Sequence, residues 1–211
     1  GMPEGSVHSE LLRRPGKLYV LASHFHPDHF NKEVLQWREQ RPDIIYIFSK
    51  DILRHRRAQK EDAVWLKKGE EYKDETLSVR AFGSTDVGVS FLLQASGKKI
   101  FHAGDLNNWH WMDESTEAEW KGAEKNFLHE LDDLYAYTPE VDVAMFPVDP
   151  RLGKEYMRGA GQFVTKIKTH IFVPMHFTPE YAKANAFRDF AEAHGVRFVS
   201  LTHRGQKIEI E

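Results

Sequence analysis

Ser23-His24-Phe25-His26-Pro27-Asp28-His29-Phe30 is the stretch from which the fold of this chain can be read. It sets three imidazoles and one carboxylate within six residues, the ligand chemistry of zinc and its first-row neighbours. The stretch follows the apolar run Leu18-Tyr19-Val20-Leu21-Ala22, which predicts a buried strand over Lys17–Ser23. Side chains at i and i+2 of an extended segment point the same way, so His24 and His26 can grip one ion. Pro27 cannot continue a strand ladder and turns the chain. Asp28 and His29 then come back from a loop towards a second position.

Two later residues extend the pattern. Gly104-Asp105 follows the strand expected at Lys99–Ala103. Glycine allows a sharp turn there, and a carboxylate just past a buried strand can bridge two ions. His176 ends the apolar strand Ile171-Phe172-Val173-Pro174-Met175 and can reach a site at the sheet edge. Read without the histidine cluster, each has a plainer role, Asp105 as a turn residue and His176 as a core imidazole bonded to a carbonyl.

Taken together, the His-x-His-x-Asp-His stretch, the Gly-Asp after a strand and the final histidine resemble the metallo-β-lactamase superfamily, matching in order from Leu18 to about Phe177. The resemblance implies an α/β protein, an αββα metallo-β-lactamase sandwich with metal at one edge between two sheets. It implies that His24 and His26 hold a first ion, that Asp28, His29 and His176 hold a second, and that Asp105 bridges them. The implied cofactor is a pair of divalent ions, zinc first, with manganese or iron as alternatives. The sequence departs from the family pattern twice. The family's lone histidine is missing, since none lies between His55 and His102. In its place stands Gly83-Ser84-Thr85-Asp86-Val87-Gly88, where Asp86 or Ser84 can substitute as an oxygen ligand, or the first ion is weak or absent. A carboxylate there suits manganese or iron better than a third imidazole would. The stretches around Gly83–Phe91 and His102–Asn107 resemble a small bacterial branch of the superfamily. The second departure is that only one good strand precedes His24, so the sandwich is expected to lack some N-terminal strands. An uncovered strand edge pairs readily, which predicts a homo-oligomer through that edge, or poor solubility, unless the edge is covered.

Composition bounds the rest. The 211 residues carry 41% hydrophobic and 29% charged side chains and a net charge of −3, as in a globular protein. One domain over residues 2–211 is expected, Gly1 reading as the scar of a cleaved tag. No apolar run approaches the ~20 residues that span a bilayer, so no membrane partner is expected. The acidic balance and the lack of a basic arm disfavour nucleic acid. With no cysteine, thiolate ligands, cysteine nucleophiles and disulfides are excluded, and the cytoplasm is the expected location.

Along the chain, residues 2–16 show no clear period and read as loop or a weak helix around Ser9–Arg13. Asn31 is placed to cap a helix that Pro42 ends. Asp43–Ser49 reads as a central strand, followed by a short helix over Asp51–Arg57. Strands are expected at Thr76–Phe82, Gly88–Ala95, Lys98–Ala103, Val141–Pro147, His170–Met175, Val196–Leu201 and Gln206–Ile210. Helices are expected at Glu114–Ala136, Lys154–Lys168 and Pro179–His194.

The expected function is metal-dependent hydrolysis of an ester, lactone, amide or related bond in a small molecule, with Asp28 and Asp105 orienting the attacking water and taking its proton. Phosphodiester cleavage is the alternative chemistry, and a metal-binding sensor without turnover the alternative class. Asn107, Trp109 and Arg151 are candidates for substrate contact, Arg151 through an anionic group. His102 is a candidate partner behind the ligands.

Overall fold

The computed structural model describes Val7, residues 9–177 and residues 179–210. Residues 2–6 and His8, part of the stretch expected as loop or weak helix, lie outside the described residues, and a helix does form over Ser9–Leu12. The elements run α1 (Ser9–Leu12), β1 (Tyr19–Ala22), β2 (Ile45–Ser49), α2 (Lys50–Arg54), β3 (Val64–Leu66), β4 (Glu71–Lys73), β5 (Ser78–Phe82), β6 (Ser90–Ala95) and β7 (Lys98–His102). There follow α3 (Glu117–Tyr137), β8 (Glu140–Pro147), α4 (Arg158–Lys166), β9 (Lys168–Met175), α5 (Tyr181–Asn185), α6 (Arg188–Ala193) and β10 (Arg197–Phe198). The strands form a three-stranded parallel sheet, β1-β2-β3, and a seven-stranded mixed sheet, β10-β9-β8-β7-β6-β5-β4. In the larger sheet β4 to β7 are antiparallel neighbours, while β7, β8, β9 and β10 run parallel.

The pleat of β2 shows how the layers stack. Alternate side chains point to opposite faces. Ile47 meets Val79, Ala81 and Phe91 of the other sheet, while Tyr46 and Phe48 meet Phe30, Ile52 and Leu12 on the outside. Both faces are buried, so the run is apolar throughout rather than alternating. On the far side of the large sheet, α3 and α4 cover Phe101, Phe146 and Phe172, with Phe127, Phe163 and Phe187 between. Each of these rings is at most 1% exposed, and burying one is worth about 1.5–3 kcal/mol. This is the αββα sandwich, with a short first sheet.

Several expected elements change form. The segment capped by Asn31, whose side chain accepts from Glu33 N, is a 3₁₀ helix over Lys32–Glu39. The helix expected over Lys154–Lys168 is shorter, α4 running from Arg158 to Lys166 after a 3₁₀ segment over Pro150–Glu155 that kinks at Gly153, where φ is 79°. The helix expected over Pro179–His194 divides into α5 and α6. Strands β3 and β4 were too short to show a period. Of the last two expected strands, only Arg197–Phe198 pairs. Val199, Leu201 and Ile208 instead pack on Val143, Ile171 and Val173. Leu201 and Ile208 cover a face of β8 and β9 by side-chain burial, while Val199 N also donates to Phe172 O at 2.9 Å where β10 ends.

Candidate metal centre

The site lies where strands of both sheets end. His24 to His29 follow β1, Asp105 follows β7, Asp149 follows β8, and His176 follows β9. β7, β8 and β9 are parallel, so their carboxyl ends open on one edge, where α/β sheets bind ligands.

Glycines let the loops close in. Val89 N donates to Ser23 O at 3.0 Å, bringing the β5–β6 loop onto the end of β1. Gly88 sits there at φ 78°, and a Cβ on it would lie 2.1 Å from Ser23 O and 2.5 Å from His24 Cβ. Phe25 N donates to Asp51 Oδ2, and His29 N and Phe30 N donate to His26 O, which shapes the turn after Pro27.

Asp105, 5% exposed, is the centre. Its oxygens lie 3.3 Å from His24 Nε2, 3.1 Å from His29 Nε2 and 3.4 Å from His176 Nε2. Burial opposes its charge, yet the imidazoles of His176, His24 and His29 gathered around it hold its carboxyl well below the usual range. His29 itself is pushed below its ordinary value by burial. His24 is fully buried, with Nδ1 3.0 Å from Ser23 Oγ. That hydroxyl can donate or accept, so either end of the ring can carry the proton. His24 Nε2 and Asp105 Oδ1 are sealed from solvent, and neither closes a hydrogen bond among the described residues. Buried polar atoms left so are costly, and a divalent cation would satisfy both.

The clusters with metal-ligand spacing are His24–His29–Asp105, Asp28–His29–His176 and His26–Asp86–Asp105, the donor atoms of each lying within 4.8 Å of one another. All seven side chains singled out from the sequence as ligands thus converge. Asp86 reaches to 3.8 Å from His26 Nδ1, so a carboxylate occupies the neighbourhood where the third imidazole is missing. Its loop is pinned from behind, since Thr85 Oγ1 donates to Asn107 O at 2.5 Å and accepts from Asn107 N at 3.0 Å.

Asn107 is therefore a correction. Expected to meet substrate, it is fully buried and fixes the Asp86 loop instead. Trp109 does stand at the mouth. Its Nε1 donates to Asp105 O, and with Thr85, Asp86, Trp111, Arg151 and His176 it lines a cavity of about 270 Å³. A second cavity of about 470 Å³ is lined by Asp28, His29, His102, Asp149, Arg151 and His176 among others. His176 and Arg151 stand on the wall common to both. A larger groove of about 650 Å³ under α3, α4 and α6 contains none of the clustered donors, so size alone does not locate the chemistry.

Asp149, 1% exposed, was missed from the sequence. It follows a buried strand as Asp105 does, and that rule would have found it. Its Oδ2 accepts from His176 Nδ1 at 3.0 Å, and Arg151 grips both its oxygens at 2.6–3.0 Å. Burial pushes Asp149 up, but His176 and Arg151 more than offset it and hold the carboxyl at about 2. A carboxylate behind an imidazole fixes the ring and leaves the other nitrogen for a ligand. Between Asp105 and Asp149, and against the cost of burial, His176 is raised to about 9. Its backbone sits at φ 64°, a strained geometry for a residue with Cβ and one that gathers at functional sites.

The beta-lactamase superfamily domain model matches residues 8–177. No curated protein matches the chain. Among solved structures, a metallo hydrolase of Ignicoccus hospitalis superposes with TM-score 0.58 at 17% identity, over 89% of this chain and 77% of that one. The metallo-β-lactamase fold protein YhfI of Bacillus subtilis gives 0.59 at 11% identity, over 90% and 76%. Zinc-bound PqqB of Methylobacterium extorquens gives 0.53 at 16% identity, over 91% and 73%. At such identities the likeness extends to the fold alone.

Proposed function

This chain belongs to the beta-lactamase superfamily, and on that premise we propose that it is a metal-dependent hydrolase of a small-molecule ester, lactone, amide or related bond. The observation that carries the reading is the set of ligand clusters meeting at Asp105, with His24 Nε2 and Asp105 Oδ1 buried and unpartnered. In this reading His24, His26 and Asp86 would hold one divalent ion and Asp28, His29 and His176 another, with Asp105 between them. Zinc fits the imidazoles, and manganese or iron becomes a close competitor if Asp86 ligates. Such ions, when bound, supply an acidified water and stabilise the developing oxyanion.

The chain's own groups do the remainder. Asp105, kept ionised, orients the attacking water, and Asp28 takes its proton. Asp149 holds the His176 ring. Trp109 offers a flat apolar wall to the substrate. Arg151, its side chain 66% exposed, presents a guanidinium edge to an anionic group. Residues 2–211 act as one catalytic domain in this reading, and the net charge of −3 favours a small molecule over nucleic acid.

A metal sensor without turnover is the second reading. It is favoured by the looseness of the His26–Asp86 contact, at 3.8 Å the longest in the centre. Metal per chain, measured on protein purified without added metal, is to be read beside turnover of p-nitrophenyl acetate, a γ-lactone and bis(p-nitrophenyl) phosphate. Two ions with ester or lactone cleavage support the hydrolase. Cleavage of the phosphodiester alone moves the assignment to that bond. One tight ion and no turnover of any of them overturns it in favour of the sensor.

A further inference from the structure

One imidazole in the larger cavity is used by none of these roles. His102 ends β7, three residues before Asp105, and lines the 470 Å³ cavity beside His29 and His176. Its Nδ1 lies 3.1 Å from Gly104 N, in hydrogen-bond geometry. A backbone N–H can only donate, so Nδ1 is the acceptor and carries no proton. The ring is therefore neutral, with its hydrogen on Nε2. A protonated ring would set two N–H groups against each other in the turn that delivers Asp105. Nε2 makes no hydrogen bond among the described residues, and unlike His24 Nε2 it is not sealed from solvent. His102 borders the accessible space of this cavity.

The other donors on that wall are largely engaged, leaving only the outer guanidinium edge of Arg151 for an anion. His29 and His176 face Asp105, and Arg151 grips Asp149. Asp28, Asp149 and Glu180 offer only acceptors while ionised. We infer that His102 is a substrate-binding residue, a neutral imidazole whose Nε2–H donates to a carbonyl, carboxylate or phosphoryl oxygen seated in the larger cavity. This deepens the hydrolase reading and rests on it for the identity of the occupant. The cavity then selects a substrate with an oxygen acceptor beside the bond to be cut. A neutral donor serves here because it can stabilise an oxygen without giving up its proton or repelling neighbouring cations.

The test is ¹⁵N imidazole NMR of the chain with inorganic phosphate as the oxyanion probe. In the metal-free protein His102 should show the Nε2–H tautomer at pH 7, and an Nδ1–H tautomer or a cation there overturns the inference. In the zinc-loaded protein, phosphate should shift the His102 Nε2–H signal. His102→Asn keeps an acceptor for Gly104 N but loses the far donor, and should weaken phosphate binding about tenfold, the scale of one good hydrogen bond. His102→Gln, which reaches a donor back into the cavity, should recover most of that loss. Unchanged phosphate affinity in a folded, zinc-replete His102→Asn overturns the role. Failure of the wild type to bind zinc would overturn the hydrolase reading, while the tautomer would still decide the state of His102.

Discussion

Replacing Gly88 by alanine tests whether the site depends on close backbone approach. Gly88 sits at φ 78°, and its added Cβ would meet Ser23 O at 2.1 Å, His24 Cβ at 2.5 Å and Ser23 C at 3.0 Å. Two of these are backbone atoms and the third roots a fully buried imidazole, so none can swing aside. Gly97, in the β6–β7 turn, provides the control. Its φ is 74°, and nothing lies within 4 Å of its added Cβ. Left-handed backbone costs a residue with Cβ about 1–2 kcal/mol at either position. Overpacking adds about 1–3 kcal/mol at Gly88 alone. Urea denaturation of the metal-free proteins should therefore show Gly97→Ala down by about 1–2 kcal/mol and Gly88→Ala by about 2–5 kcal/mol. Because the displaced segment carries His24, zinc affinity should fall in Gly88→Ala and hold in Gly97→Ala. Equal losses of stability, with unchanged zinc affinity in both, would refute the reasoning.

Three other outcomes follow from the geometry. Asp149→Asn keeps the shape behind His176 but removes the charge, so zinc affinity should drop about 10–100-fold; competition with a chromophoric chelator measures it, and a change under twofold would count against Asp149. Asp86→Ala should reduce metal content from two ions per chain to one, and Asp86→His should restore two; two ions in the alanine variant by elemental analysis would remove Asp86 from the ligand set. His176, raised to about 9, carries a proton in the metal-free chain at pH 7.5, so its contribution to stability is present below the ordinary histidine value and is lost as pH rises through about 9. Metal binding at its Nε2 must expel that proton. Zinc affinity should therefore rise with pH up to about 9 and flatten above, and calorimetry in buffers of different ionisation heat should show proton release at pH 7.5. No release there would show that His176 is not the displaced group.

The local parts of the fold were legible because their signals are local. Ile44 to Phe48 form an unbroken apolar run because both faces of β2 are covered. The α3 helix shows its period, and Thr116 and Glu119 make the capping box that starts it. The extent of pairing in the C-terminal segment was misread because Leu201 and Ile208 satisfy the same apolar pattern whether they join a ladder or only cover one. Asn107 was misread because polarity at a site mouth suggests contact with substrate, whereas its backbone groups are spent on Thr85.

By itself the order of residues determined the family, the sandwich and the candidate donors, because three imidazoles and one carboxylate within six residues are a local signal. Only the tertiary structure decided which donors meet. It carried Asp86 across from the β5–β6 loop to His26, closed that loop against Ser23 through Gly88, and set Asp149 behind His176. It also turned Gly104 N onto His102 Nδ1, which places the hydrogen of that imidazole. Distances of 3 to 4 Å between residues far apart in the chain follow from how two sheets pack, and no spacing along one strand encodes them.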